Sequence, residues 1–255
     1  MAPPPRLSII TVVRDDPEGL AATAGSVAAQ RWTAFEWLVA DGGSGPATLA
    51  ALAAVPRPPD WADSRPDGGP FDGMDRAMAH AQGDFLLFLN AGDLLADDDV
   101  LQDLSGLLAG RDADIFYGDT LEDPGDGRVR RKPARHWRWA FYGMPAHHCA
   151  LYYRRALVAG LRMEQGYKVA GDYAFTLAAL RRTPRVARAA RVVARFAPGG
   201  LSRRYAALGR MEQAYIRQHL LKMPRILSKG IYLIQIVAGT MRHIFPRGYA
   251  FWVFR

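Results

Sequence analysis

Apolar residues fall in short unbroken runs, separated by stretches in which they recur at helical spacing. Leu7-Ser8-Ile9-Ile10-Thr11-Val12-Val13, Phe35-Glu36-Trp37-Leu38-Val39-Ala40 and Asp84-Phe85-Leu86-Leu87-Phe88-Leu89 are the clearest runs. They are apolar on both faces, as strands covered on both sides must be. The first run stops at Arg14-Asp15-Asp16-Pro17. Pro17 suits the first turn of a helix, and Leu20, Thr23, Ala24 and Val27 follow at helical intervals. The pattern predicts further helices over 46–54 and 72–81, a short strand over 61–64, a strand over 115–119 and a helix after Asp172. Strand–helix–strand alternation implies an α/β fold, with a mainly parallel sheet, right-handed crossovers and flanking helices. No repeat with a period of roughly 20–50 residues stands out.

The 255 residues suffice for one substantial core. The pattern divides the chain into residues 1–220 and a basic, amphipathic C-terminal extension, 221–255. Hydrophobic content of 49% with 23% charged residues is that of an ordinary globular protein. A single cysteine, Cys149, excludes an intramolecular disulfide and fits a reducing compartment. Met1 to Arg6 is a Pro-rich lead without the apolar core of a secretory signal. No apolar run approaches the roughly 18 residues of a spanning helix, so a cytoplasmic location is expected.

The net charge of +8 conceals a division. Residues 1–127 hold 7 Lys and Arg against 22 Asp and Glu, whereas 128–255 hold 26 against 3, namely Glu164, Asp172 and Glu212. An acidic half suits metal handling, and a basic half suits phosphates, nucleic acid or an anionic membrane. An arginine-rich genomic composition would give the same bias. Nucleic-acid binding is prompted by a pI of 9.9 and by Trp137 and Trp139 among the basic residues 128–138. It leaves the acidic half unexplained, so no nucleic-acid partner is expected.

Polar residues gather where the apolar runs end, at Asp41-Gly42-Gly43-Ser44 and Asn90-Ala91-Gly92-Asp93. Open α/β sheets bind ligands at the carboxyl ends of their strands. A carboxylate there can hold a divalent cation, and the cation a diphosphate. The full Gly-x-Gly-x-x-Gly pattern is absent after the first strand, which argues against a dinucleotide cofactor. His147-His148-Cys149 invites a zinc site. Neighbours on one strand point to opposite faces, and no second Cys or His pair stands at finger-like spacing, so zinc is not expected.

Thr11-Val12-Val13-Arg14-Asp15-Asp16, Asp41-Gly42-Gly43-Ser44, Asp67 through Asp75, Phe88-Leu89-Asn90-Ala91-Gly92-Asp93 and Gly171-Asp172-Tyr173 occur in this order over roughly the first 200 residues. Together they resemble the bacterial family-2 glycosyltransferases, in particular the branch of colanic-acid-type exopolysaccharide transferases. The resemblance implies a GT-A-type fold and transfer of a sugar, usually with inversion, from a nucleotide sugar (UDP-linked) to a hydroxyl of a saccharide or lipid-linked acceptor.

It places Thr11, Arg14 and Asp41 against the nucleotide, with Asp41 able to accept from a uracil ring nitrogen. Asp67 and Asp72 lie on a loop facing the nucleotide and donor sugar. Asp93 becomes the ligand of Mg²⁺ or Mn²⁺, and Asn90 stands where many relatives carry the first aspartate of Asp-x-Asp. His147 lies near the donor sugar or diphosphate, and Ser202, in Gly199-Gly200-Leu201-Ser202, closes over the diphosphate. Asp172 becomes the catalytic base, with Gly171 replacing a glutamate common in relatives. Plainer roles stay open: an Asx turn for Asp41, a helix cap for Asp93 or Asp172, loop solvation for Asp67 and Asp72, a core histidine for His147, and an inactive sugar-nucleotide binder for the whole.

Leu220 to Arg255 lies beyond the resemblance. Its apolar residues, among them Ile226, Leu233 and Val237, are flanked by Lys222, Arg225, Lys229, Arg242 and Arg247, with aromatics at Tyr232, Phe245, Tyr249, Phe251, Trp252 and Phe254. Such a segment suits an interfacial helix on anionic lipid, which would put the protein peripherally on the inner face of the plasma membrane. Packing on its own domain or on a partner subunit is the alternative.

Overall fold

The computed structural model describes residues 6–110, 112–123, 127–163, 166–197 and 199–244. Strands β1 (Leu7–Val13), β2 (Phe35–Asp41), β3 (Trp61–Ser64) and β4 (Phe85–Phe88) run parallel in the order β3-β2-β1-β4. Helices α1 (Pro17–Ala28), α2 (Pro46–Ala53) and α3 (Pro70–His80) connect them. The two-residue β5 (Leu94–Leu95) and α4 (Val100–Ala109) follow. The sheet then continues through β6 (Ile115–Glu122), β7 (Arg130–Lys132), β8 (Leu151–Arg154) and β9 (Val186–Arg195). Short α5 (Arg155–Val158) and α6 (Gly171–Leu180) lie between β8 and β9. Helices α7 (Leu201–Arg204), α8 (Ala206–His219) and α9 (Arg225–Ile244) close the described chain. The full order is β3-β2-β1-β4-β8-β6-β9-β5, with β7 paired to β6. β8 runs antiparallel to both β4 and β6, while β6 and β9 are parallel. The result is the mostly parallel, helix-flanked sheet that the alternation predicts.

The doubly apolar runs explain two of the cores. Successive side chains of β1 point to opposite faces. Ile9 joins Trp37, Leu87 and the inner side of α1 at Leu20, Ala24 and Val27. Ile10 joins Leu38, Leu86 and α3 at Phe71, Met74 and Ala77. A third cluster, with Tyr173, Ala174, Leu177 and Ile216, ties α6 to α8. Helix α9 packs on α8, where Ser228 Oγ donates to the Ala214 carbonyl at 3.0 Å. Leu233, Ile234, Val237 and Met241 remain exposed on it. Among the described residues no helix is long and apolar enough to cross a membrane.

Two local expectations are corrected. His147 and His148 do not sit on a strand: residues His148–Ala150 form a 3₁₀ turn and β8 begins only at Leu151. The opposite-faces argument therefore does not apply to them. The strand predicted over 115–119 runs on to Glu122, which ends β6 with its side chain 2% exposed, beside Lys132, His147 and Arg203. Glu164, Phe245, Arg247, Tyr249, Phe251, Trp252 and Phe254 lie outside the described residues.

Candidate active site

A cleft of about 1400 Å³ opens at the carboxyl ends of β1 and β4. The first half of the chain lines it with Arg14, Asp67, Asn90 and Asp93, and the second half with Lys168, Asp172, Ser202 and Arg210. His147 and His148 also line it, and α9 contributes Ile236, Gly239 and Thr240.

Asn90 and Asp93 are placed by an extension of β4 across the end of β1. Leu89 N donates to Ile10 O at 2.8 Å and Ala91 N to Val12 O at 3.1 Å. Thr23 Oγ1 donates to the carbonyl of Asp93 at 2.8 Å and ties the tip to α1. One Asp93 oxygen accepts from Ala197 N at 2.9 Å, and the other lies 3.4 Å from His148 Nε2. The same ring nitrogen is 3.0 Å from Asn90 Nδ2, and His148 Nδ1 is 4.0 Å from Asp172 Oδ2. One imidazole thus spans the carboxylates of the two chain halves. Burial works against a charged ring, but Asp93 and then Asp172 outweigh it, and the His148 pKa is raised. Burial also raises the pKa of Asp172, with His148 offsetting part of the effect. The sequence reading missed His148. Its signal was the doubled histidine directly before β8.

Asp172 lies in the first turn of α6, next to a loop held by Glu212 of α8. That carboxylate accepts from Lys168 N and Val169 N, both at 2.9 Å, and from Ala170 N at 2.8 Å. It satisfies the amide of Ala170, the N-cap of α6, which has no intrahelical partner, and the two loop amides before it. Thr176 Oγ1 donates to the Asp172 carbonyl at 2.7 Å and is itself 2.8 Å from Tyr153 Oη. Gly171 has no room for the glutamate of relatives: a Cβ there would stand 2.8 Å from both the Met163 carbonyl and the Phe71 ring. Glu212→Ala is expected to cost about 1–3 kcal/mol of stability by leaving these amides unpaired, read as a lower urea midpoint.

Three expected contact residues do not reach the cleft wall. Thr11 is fully buried; its hydroxyl donates to Leu89 O at 2.7 Å and accepts from Trp37 Nε1 at 3.0 Å, which fastens β1 between its neighbours. Asp41 is fully buried too, and accepts from Ser64 Oγ at 2.5 Å, Ser44 N at 3.0 Å and the Ser44 hydroxyl. Burial opposes its ionisation, yet the Ser44 and Ser64 hydroxyls hold its pKa below the usual carboxylate value. Its carboxylate serves the turn after β2, the Asx-type alternative. Asp72 accepts from Gly68 N at 3.1 Å and shapes its own loop.

Asp67 does reach the cleft and accepts from Gly69 N at 3.0 Å. His147 stacks on Phe196 at 4.0 Å, with Nε2 2.9 Å from Glu122 and 3.0 Å from Lys132 Nζ. Burial, then the Lys132 charge, pull its pKa down to about 4, which keeps the ring neutral near pH 7.

The oxygens at the tip of β4 fit a hard divalent cation in part. Asn90 Oδ1 is buried without a hydrogen-bond partner, and Asp93 supplies a carboxylate on the cleft wall. Among the described residues no group of three or more His, Cys, Asp or Glu could hold a metal by itself. The donors suit Mg²⁺ or Mn²⁺ that completes its shell with substrate phosphates and water.

Residues 8–184 match the model of glycosyl transferase family 2, and the chain belongs to that family. It is 38% identical over 112 residues to an uncharacterized glycosyltransferase of Mycobacterium tuberculosis, a match covering 44% of this chain and 43% of that relative. It is 27% identical over 255 residues to a PGL/p-HBAD biosynthesis glycosyltransferase of the same organism, covering 95% and 93%. Among solved structures, Staphylococcus aureus TarS 1–349 in complex with UDP superposes with a TM-score of 0.65 at 18% identity, over 96% of this chain and 74% of that one. The mannosyltransferase PcManGT of Pyrobaculum calidifontis, in complex with GDP-Man and Mn²⁺, gives 0.66 at 14% identity, over 98% and 83%. The architecture is that of the GT-A nucleotide-diphospho-sugar transferases.

Proposed function

We propose that this chain transfers a sugar from a UDP-linked donor to a hydroxyl of a saccharide or lipid-linked acceptor, with inversion, in building a cell-surface polysaccharide or glycolipid. The observation that carries this reading is the single imidazole lying 3.4 Å from Asp93 and 4.0 Å from Asp172. It puts an anchoring carboxylate and a proton acceptor on one cleft.

Asp93 and Asn90 would hold Mg²⁺ or Mn²⁺, which as a Lewis acid neutralises charge on the departing diphosphate. Arg14 and Asp67 flank the nucleotide, and His147 and Ser202 the diphosphate and donor sugar. Asp172 takes the proton of the acceptor hydroxyl as the new C–O bond forms and the bond to the nucleoside diphosphate breaks. Burial of Asp172 favours its neutral form, so less driving force is lost when it accepts that proton. TarS, solved with UDP and with UDP-GlcNAc, supports the choice of nucleotide. The substituted Asn90 and Gly171 do not weaken the reading: an amide oxygen remains available at the first, and packing explains the second.

A screen of nucleotide sugars for thermal stabilisation, with and without Mn²⁺, tests this reading, since a ligand of the native state raises apparent stability. Metal-dependent stabilisation by a UDP-sugar is expected; a flat response to every nucleotide sugar would refute it. Catalysis should also fail on acidification at a higher pH than an ordinary aspartate would impose. Asp172 acts only when deprotonated, and its pKa is raised, so kcat falls as pH drops through that raised value.

We assign transfer to residues 1–220, with α9 bordering the cleft, and membrane contact to 221–255. The exposed apolar residues of α9 lie on a helix that contains Arg225 and Lys229 and no carboxylate, a match for an anionic lipid surface. Sedimentation with phosphatidylglycerol vesicles, but not with phosphatidylcholine vesicles, is expected, and it should weaken with salt.

A further inference from the structure

Four cationic side chains, Arg14, Lys168, Arg203 and Arg210, line the cleft. Arg203 is engaged by Glu122 at 2.9 Å. Arg14 belongs to the wall formed by the end of β1. Lys168 and Arg210 come, with Asp172, from the second half of the chain. Lys168 stands four residues before Asp172 on the loop whose amides Glu212 holds. Arg210 stands two residues before Glu212 on α8. The loop and helix are in close contact there, because a Cβ on Gly209 would lie 2.9 Å from Val169 Cγ1. The Arg210 guanidinium extends toward α9, with Nη1 3.5 Å from the place a Gly239 Cβ would occupy.

Among the described residues, neither the Lys168 ammonium nor the Arg210 guanidinium has a hydrogen-bond or ion-pair partner, and Arg210 Nε is buried without one. Lys168 is exposed and Arg210 half-buried, with its Nε buried and unpaired; such a donor is unfavourable in the free protein and becomes favourable when an anion arrives. Arg203, by contrast, is paired with Glu122. On the proposed reading the donor diphosphate is held by the cation at Asp93 with His147 and Ser202, without Lys168 or Arg210. The acceptor must approach Asp172.

We propose that Lys168 and Arg210 form a phosphate subsite on the acceptor side, so that the acceptor carries a phosphate ester near its reacting hydroxyl. This inference rests on the transferase reading and names the acceptor class for it. The phosphate has two possible sources, a lipid phosphate or a soluble sugar phosphate. Gly239 and Thr240 of α9 border the cleft beside Arg210, while Val237 and Met241 of the same helix are 61% and 48% exposed. A lipid tail leaving the subsite would therefore pass along an apolar helix.

The test is calorimetric titration of the wild type and of the Lys168→Ala/Arg210→Ala double variant, each first saturated with UDP and Mn²⁺. The probes are glucose 1-phosphate, glucose, dodecyl phosphate in phosphatidylcholine bicelles, and the bicelles alone. At least one phosphate probe should bind the wild type and weaken about tenfold or more in the variant, as loss of two charge-assisted contacts requires. UDP affinity should be unchanged, and glucose and empty bicelles should give no such difference. Preference for the bicelle-borne phosphate identifies a lipid-linked acceptor, and preference for glucose 1-phosphate a soluble one. Phosphate binding that is absent from the wild type or indifferent to the substitutions overturns the proposal. So does a loss of UDP affinity in the variant without a loss of phosphate affinity. UDP binding is measured first: its absence refutes the transferase reading, while the same titrations without UDP still decide the phosphate subsite.

Discussion

Asp172→Asn is expected to lower sugar transfer by roughly 10²- to 10⁴-fold, the range that a positioned general base contributes, while leaving UDP binding intact. The substitution keeps the shape of the side chain. It also keeps an oxygen for the Tyr173 amide, which donates to Asp172 Oδ1 at 2.7 Å. What it removes is the ability to accept a proton. A loss confined to turnover, with the same UDP affinity and the same melting temperature, is the signature of that change. Turnover retained in the asparagine variant would take Asp172 out of the mechanism. The measurement is initial-rate kinetics beside UDP titration of both proteins.

Asp93→Asn should weaken Mn²⁺-dependent UDP binding by on the order of 10²-fold, because a cation loses its one charged protein ligand and several kcal/mol of charge stabilisation are at stake. The asparagine oxygen can still accept from Ala197 N, which lies 2.9 Å from Asp93 Oδ1, so the β4 tip stays in place. UDP binding measured without metal should hardly change, and a chelator should reduce the wild type to the level of the variant. A Mn²⁺ titration curve identical in the two proteins would contradict the role of Asp93.

The fold was largely legible because its signal is local. The first run matches β1 residue for residue, and Leu20, Thr23, Ala24 and Val27 are the buried residues of α1. The site was legible in part. A motif says which wall of the sheet a residue belongs to, but burial decides whether its side chain reaches the ligand. Thr11 and Asp41 sit at the correct strand ends, and their polar atoms are used up inside the sheet. His148 was overlooked because its role needs Asn90, Asp93 and Asp172 to converge across 82 residues of chain. No sequence pattern records that convergence. The cleft-lining part of α9 was hidden for the same reason: Gln235 Nε2 donates to Tyr142 O at 2.7 Å, 93 positions away. Glu212 looked like one of three isolated acids in a basic half, and only folding brings it to the amides beside Asp172.

Anomalous scattering from a crystal grown with UDP and Mn²⁺ addresses the joint claim about both chain halves in one experiment. The expected result is a manganese peak at ordinary ligand distance, about 2.0–2.2 Å for a small hard cation, from the Asp93 carboxylate and the UDP diphosphate, with the Asp172 side chain across the cavity from it. A peak bound elsewhere, or UDP seated outside the space between those two aspartates, would contradict it.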